Sequence, residues 1–147
     1  MAALLVVLGC TPTEPRPVEA EFVAQSVGGE SLPALVVSGE FATITLLADT
    51  IRIYRDGTGF RVTVVHAVTD YVEIPETGPV KRYENTFSYR YVDGVFELEY
   101  PCPDVASCVA PPHFTGTFSG DQLFGSDVAW HDKQVQYRVV GTAPTSY

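Results

Sequence analysis

One predicted strand carries a histidine and a carboxylate that could do chemistry. His66 shares a face of an alternating run with Val62 and Val64, and Asp70 continues that face. An imidazole and a carboxylate on one dry face could bind a metal ion or move a proton. Two structural alternatives stay open: a polar pair that only satisfies its own hydrogen bonds, or a β-bulge after Val65 that returns both groups to water. We favour these alternatives.

The remaining polar residues form no recognisable catalytic or metal-binding motif. His113 and His131 do not have the spacing that would place two imidazoles on one metal ion. No Gly-x-Ser-x-Gly elbow marks a nucleophile. Glu97 and Glu99 alternate with apolar residues, which is typical of the wet face of a strand. The sequence therefore predicts a protein that is not an enzyme and that uses no metal or cofactor.

A hairpin rich in aromatic residues is the stronger candidate for ligand binding. Two alternating runs are joined by an Asp93-Gly94 turn, so that their apolar faces meet across the hairpin. The candidate ligand-lining residues are Phe87, Tyr89, Tyr91, Phe96, Leu98 and Tyr100. Buried tyrosine hydroxyls need partners, and a barrel interior lined by them could hold a small amphipathic ligand. The alternative, which we favour, is that these rings simply fill the core, as they do in most small barrels.

The amino terminus resembles that of bacterial lipoproteins. Val7-Leu8-Gly9-Cys10 is similar to a lipobox, after an apolar run that begins at Met1. The resemblance implies a signal peptide over 1–9, a diacylglycerol on Cys10, a tether over 10–19 and one domain over 20–147. Three prolines in the tether fit an extended spacer. The alternative is an ordinary apolar terminus that happens to precede a cysteine.

The other two cysteines fit an oxidising compartment. Cys102 and Cys108 lie six positions apart among prolines, which indicates a loop. A disulfide between them would stabilise the domain by about 2–3 kcal/mol. The rival is a metal pair with His113 as the nearest further ligand, but that set is incomplete. We therefore favour the disulfide.

Residues with period-two alternation dominate the chain from Glu21 to Val140 and predict strands throughout. Asp-Gly turns after Arg55 and Val92, and glycine turns elsewhere, separate the runs. No segment is typical of a helix. The predicted strands are 20–27, 33–37, 42–48, 50–55, 59–69, 83–92, 95–100, 113–118, 122–125 and 134–140. The longest irregular segments are 70–82 and 101–112.

These elements predict an all-β fold, an antiparallel meander of about 8–10 strands that closes into a small barrel. A β-sandwich is the alternative. With the N-terminal features, the meander resembles small envelope lipoproteins that carry a lipocalin-like domain, and the stretch EFVAQSVGGESLPALV is similar to the start of such domains. Lipocalins carry Gly-x-Trp on the first strand, whereas the single tryptophan here is Trp130. No binding residue is therefore transferred from that family.

Composition limits the possible partners. The 147 residues make one domain, and the net charge of −9 disfavours nucleic acid and basic docking on anionic lipid. We expect an envelope protein held to a membrane by its lipid anchor, with the outer membrane favoured because Thr11 is not the aspartate associated with inner-membrane retention. It would bind a small apolar ligand or an envelope protein. The alternative is a structural or inhibitory lipoprotein with a filled core, acting through its loops.

Overall fold

A computed structural model of the protein describes residues 18–40, 42–69, 80–101, 113–131 and 133–141. These residues form ten strands and one short 3₁₀ turn, Val128–Trp130. The strands are β1 Val18–Val27, β2 Glu30–Ser31, β3 Ala34–Ser38, β4 Ala42–Tyr54, β5 Thr58–Thr69, β6 Val80–Val92, β7 Val95–Glu99, β8 His113–Ser119, β9 Gln122–Asp127 and β10 Lys133–Gly141. No helix in the described ranges is long and apolar enough to cross a membrane.

The strands form a closed antiparallel barrel. From β4 to β10 each strand pairs with the next along the chain, and β1 closes the sheet by pairing with both β10 and β4. Eight strands, β1 and β4 to β10, make up the barrel. β1 and β4 pair only in part, and they separate toward the end of β1. Beyond that point β2 pairs with the end of β1, and β3 pairs with the beginning of β4. The predicted all-β meander and its closure into a barrel are confirmed, and the sandwich alternative is not adopted.

Besides the two-residue strand β2, which is not among the predicted strands, two details of the strand prediction differ from the structure. The predicted strands 42–48 and 50–55 are one strand, β4, with a register shift between Leu46 and Ala48. Such a bulge lets a long strand bend around a barrel without ending. The second difference is the 3₁₀ turn, which lies in a segment where no helix is predicted. Three residues are too few for a helical period to show in a sequence.

The two ends of the barrel are different. At one end, which we call the turn end, tight turns join β4 to β5, β6 to β7 and β8 to β9, and β1 begins and β10 ends. Asp93 and Gly94 both have positive φ there, at 53° and 80°, as the predicted Asp-Gly hairpin requires. At the other end, which we call the mouth, β5, β7 and β9 end and β6, β8 and β10 begin.

Aromatic rings fill the interior of the barrel between the two ends. Phe96 contacts Phe22, Phe114 and Phe118 with ring centroids 5.6–6.3 Å apart, and Phe114 meets Tyr137 edge to face at 5.6 Å. These are the tilted and edge-to-face geometries that aromatic pairs prefer. The fully buried core side chains are Phe22, Val27, Val36, Leu46, Ile51, Ile53, Phe96, Leu98, Phe114, Leu123, Val135 and Tyr137.

Two glycines make room for these rings. A Cβ on Gly59 would lie 2.1 Å from the ring of Phe87, and a Cβ on Gly125 would lie 2.2 Å from the ring of Phe114. Both distances are far inside van der Waals contact. The rings therefore occupy the space that side chains would otherwise take on the neighbouring strands.

The predicted orientation of β5 is wrong. Arg61, Thr63 and Val65 are the buried residues, and the opposite face, which includes His66, is half-buried or exposed. The register shift in the β4–β5 pairing places its extra residue on β4, and the β5–β6 pairing has no shift, so the alternation of β5 is regular from one end to the other. A charged side chain such as Arg61 and a hydroxyl side chain such as Thr63 normally face water in an alternating run. Inside the barrel both have polar partners.

Candidate functional site at the barrel mouth

An ion pair between adjacent strands is the centre of the candidate site. Arg61 on β5 and Asp49 on β4 are 2% and 1% exposed, although Arg and Asp are rarely buried unless they are paired. The Arg61 Nε donates to both carboxylate oxygens of Asp49 at 2.9 and 3.1 Å, and Nη2 donates to Oδ2 as well. The Thr63 hydroxyl donates to Oδ1 at 3.0 Å. This fork geometry fixes both side chains in the barrel interior.

Three further side chains complete this buried cluster. The Tyr137 hydroxyl on β10 donates to Asp49 Oδ2 at 2.7 Å and accepts from Arg61 Nη2 at 3.2 Å. The Tyr100 hydroxyl accepts from Arg61 Nη1 at 3.0 Å. Asp127 at the end of β9 places Oδ2 2.6 Å from the same nitrogen. We call Asp49, Arg61, Thr63, Tyr100, Asp127 and Tyr137 the ion cluster.

Burial and charge shift the acid–base behaviour of the ion cluster. Burial alone would lower the pKa of Arg61, but Asp49, Tyr137 and Asp127 outweigh it and raise that pKa well above its ordinary value. Burial raises the pKa of Tyr137 far above its usual range, and it raises the pKa of Tyr100 in the same direction. Arg61 is therefore a permanent cation and the two phenols stay protonated at neutral pH. None of these three groups is suited to exchange a proton with a substrate.

The 3₁₀ turn links the ion cluster to the mouth. Asp127 caps this turn, because its Oδ1 accepts from the backbone N–H of Ala129 at 2.8 Å. The turn ends at His131, which adopts the left-handed conformation with φ 55°. This places Trp130, 9% exposed, against the barrel. Within the described part of the chain, neither Trp130 Nε1 nor Asp127 Oδ2 has a partner in hydrogen-bond geometry, although both atoms are buried.

A cleft opens at the mouth directly beside the ion cluster. Its volume is about 460 Å³, within the range of about 300–1,000 Å³ that is typical of small-molecule sites. It is lined by Arg61, Thr63, Tyr83, Glu84, Asn85, Thr86, Tyr100, Pro101, Ala129 and Trp130. Three aromatic rings, from Tyr83, Tyr100 and Trp130, therefore share one cleft with a buried guanidinium. We call this the mouth cleft.

The β6–β7 hairpin brings the six predicted ligand-lining residues together, but only Tyr100 lines the mouth cleft. Phe87, Phe96 and Leu98 are buried in the core, at 3%, 0% and 0% exposed. Tyr89 and Tyr91 are half-buried near the turn end, and the Tyr89 hydroxyl donates to Glu19 Oε2 at 3.0 Å and to the Tyr54 carbonyl at 2.9 Å. Their part in ligand binding remains a prediction.

The other predicted residues lie apart from the mouth cleft or outside the described ranges. His66 is half-buried on the outer face of β5, and His131 is exposed. The described residues contain no group of three His, Cys, Asp or Glu side chains that could hold a metal ion. Asp70, Cys10, Cys102 and Cys108 fall outside the described residues, and so do most of the irregular segments 70–82 and 101–112. Residues 80–82 of the first segment belong to β6.

Reasoning from the sequence missed the ion cluster. Its members come from five places along the chain, and Arg61 is 76 residues from Tyr137. Tyr100 is the one member among the predicted site residues, and Asp49 and Arg61 carry a weaker local signal as charged positions in largely apolar runs. No protein-family model, curated protein or solved structure matches this chain. Function therefore has to be inferred from the residues of the mouth.

Proposed function

We propose that the protein is a non-catalytic binding protein that takes a small, largely apolar ligand into the mouth cleft. The observation that carries this proposal is the cleft itself, about 460 Å³ with three aromatic rings on its wall and a rigid ion cluster beneath it. Sites of this kind combine apolar walls with a few fixed polar groups. The Trp130 ring lines the cleft, and its buried Nε1 has no hydrogen-bond partner among the described residues.

The rigidity of the ion cluster supports binding rather than chemistry. Every nitrogen of the Arg61 guanidinium contacts an oxygen of Asp49, Tyr100, Asp127 or Tyr137. A site held in this way is pre-organised, so that ligand binding loses little conformational entropy in its side chains. The one hydroxyl–carboxylate pair described at the cleft, Thr63 and Asp49, is buried, and its carboxylate is bound by Arg61. The proposal is therefore of capture and release without covalent change.

Lipid anchorage through Cys10 is the second part of the proposal. β1 begins at Val18, at the turn end of the barrel, so a tether over 10–19 would join the domain on the side opposite the mouth. An anchored barrel could then present its mouth away from the membrane. Metabolic labelling with a radiolabelled fatty acid tests this. We expect label on the wild-type protein and none on Cys10→Ser; an unlabelled wild-type protein would contradict anchorage.

Native mass spectrometry of the purified chain, without reductant, tests the binding function. We expect extra mass that dissociates on activation. Asn85→Phe should remove it, because Asn85 lines the cleft and shares the inward parity of Phe87 on β6. Ser88→Phe is the matched control, an exposed position on the same strand that lies outside the cleft. A wild-type protein without extra mass, or loss of the extra mass in both Asn85→Phe and Ser88→Phe, would contradict binding in the mouth cleft.

The alternative function is that of a structural or inhibitory lipoprotein that acts through its loops. The filled interior favours it, since aromatic rings leave the region between the turn end and the ion cluster packed. Such a protein would recruit an envelope protein at the mouth, where β5 and β7 end. Cross-linked pull-downs from the envelope distinguish the two functions: a partner whose capture survives Asn85→Phe supports the alternative.

A further inference from the structure

We propose that the mouth cleft selects a cationic amphipathic ligand, an apolar chain or ring that carries an ammonium group, over an anionic one. This inference rests on the proposed function and names the class of its ligand. The presence of Arg61 in the cleft wall would at first favour the opposite choice, a carboxylate such as that of a fatty acid. The contacts of Arg61 argue against it.

Arg61 has little capacity left for an anionic ligand. Its Nε and Nη2 bind Asp49, Nη2 also reaches Tyr137, and Nη1 contacts Tyr100 and Asp127. A ligand carboxylate would have to displace one of these partners. Displacing Asp49 or Asp127 would also leave a buried aspartate without its counter-charge, which is among the costliest changes in a protein interior.

The formal charge beneath the cleft is negative. Two carboxylates, of Asp49 and Asp127, surround one guanidinium, and all three side chains are at most 3% exposed. The second carboxylate is used by one cap and one ion pair: Asp127 Oδ1 accepts from Ala129, and Oδ2 lies 2.6 Å from Arg61 Nη1 without hydrogen-bond geometry. Water screens buried charges weakly, so this excess acts on a ligand in the adjacent cleft. It attracts a cation and repels an anion.

The walls of the cleft suit the same ligand. Tyr83, Tyr100 and Trp130 contribute three aromatic rings, whose faces attract organic cations, and quaternary ammonium groups are recognised in this way. At the rim, Glu84 accepts from Arg82 at 2.7 Å, and both side chains are at least half exposed. Glu84 lines the cleft, whereas Arg82 is not among the lining residues. Of this exposed pair, the acidic residue is therefore the one that borders the cleft.

Emission from Trp130 gives a direct measure of this selectivity. It is the only tryptophan of the chain and it lines the cleft. The purified full chain is titrated with decyltrimethylammonium and with decanoate, both below the concentrations at which they form micelles. We expect a saturable change in emission with the cation and an affinity at least about tenfold weaker for the anion, equivalent to about 1.4 kcal/mol.

A pair of rim variants assigns the selectivity to the cleft. Glu84→Gln should weaken binding of the cation and Arg82→Gln should strengthen it, each by about two- to fivefold, the size of one exposed ion pair. Both side chains are exposed, so neither change should alter folding, which circular dichroism checks. Glu99→Gln, exposed on β7 and outside the cleft, is the control that should leave affinity unchanged.

The outcomes separate this inference from the proposed function. Equal or tighter binding of decanoate would overturn the preference for a cation and leave a small-molecule site in place. If decyltrimethylammonium binds but neither Glu84→Gln nor Arg82→Gln changes its affinity, the inference is also overturned, because the cation then binds away from the rim of the mouth cleft. If neither probe binds and the protein carries no ligand in native mass spectrometry, both the inference and the proposed function fail.

Discussion

Replacing Arg61 with methionine tests whether the ion cluster holds the barrel interior together. Methionine retains the apolar bulk of the arginine stem but removes the guanidinium. Asp49 would keep its hydrogen bonds from Tyr137 at 2.7 Å and Thr63 at 3.0 Å, yet it would lose the cation that pairs with it among the described residues. Asp127 would lose the contact at 2.6 Å. Two buried carboxylates would then have no counter-charge within the described residues.

The expected loss of stability is large. Breaking a buried ion pair by removing one partner costs about 3–5 kcal/mol. Because Arg61 contacts two carboxylates, we expect a loss near the upper end of that range, out of a typical total of about 5–15 kcal/mol. With a urea dependence of about 2 kcal/mol per molar, the unfolding midpoint should fall by about 2 M.

Urea unfolding followed by circular dichroism and by the emission of Trp130 measures this loss. Arg90→Met is the matched control, because Arg90 pairs with Glu97 on the surface and its side chain is 68% exposed. Surface pairs of this kind contribute about 0–1 kcal/mol. If Arg61→Met costs no more than Arg90→Met, the ion cluster does not stabilise the barrel and our description of its interior is refuted.

Three further predictions concern other parts of the barrel. Gly125→Ala should cost about 1–3 kcal/mol, because the added Cβ would lie 2.2 Å from the ring of Phe114; an unchanged urea midpoint would contradict this. Burial raises the pKa of Tyr137, so the native state keeps a proton that the unfolded state releases, and stability should fall as pH rises above about 10. Tyr137→Phe should reduce that fall. Urea melts at neutral and alkaline pH measure it, and an equal loss of unfolding free energy in the wild type and in Tyr137→Phe would refute the assignment. We predict a disulfide between Cys102 and Cys108, which would make the unreduced protein two hydrogens lighter; alkylation of both thiols without reduction would show that they are not bonded.

Local patterns sufficed for most of the fold. Alternating residues and Asp-Gly turns act within a few positions, so the hairpin of β6 and β7 could be predicted together with its Asp93-Gly94 turn. The bulge in β4 could not, because the register shift beside Leu46 depends on how the strand curves around the barrel. The sequence shows a break in alternation there but not whether the strand ends or bends.

The candidate site could be predicted only in part. Tyr100 was found from its aromatic run, and it does line the mouth cleft. The interpretation that puts Val62, Val64 and His66 on the dry face leaves Arg61 on the wet face, where a charge in an alternating run normally lies. The partners of Arg61 come from β4, β9, β10 and the residue that follows β7, and no local pattern shows that these four places supply the oxygens that allow a guanidinium to be buried. Closure of the barrel creates this site, so the site appears only in three dimensions.

The most direct test of a binding site at the mouth is the ¹⁵N–¹H spectrum of the full chain titrated with decyltrimethylammonium. Trp130 gives the single indole N–H signal of the protein, from an atom that has no partner in the described structure. We predict a saturable shift of this signal and of the Asn85 and Ala129 amides, while Gly57 and Gly94 at the turn end stay fixed. Shifts confined to the turn end, or an indole signal that does not move at any concentration, would contradict a ligand site in the mouth cleft.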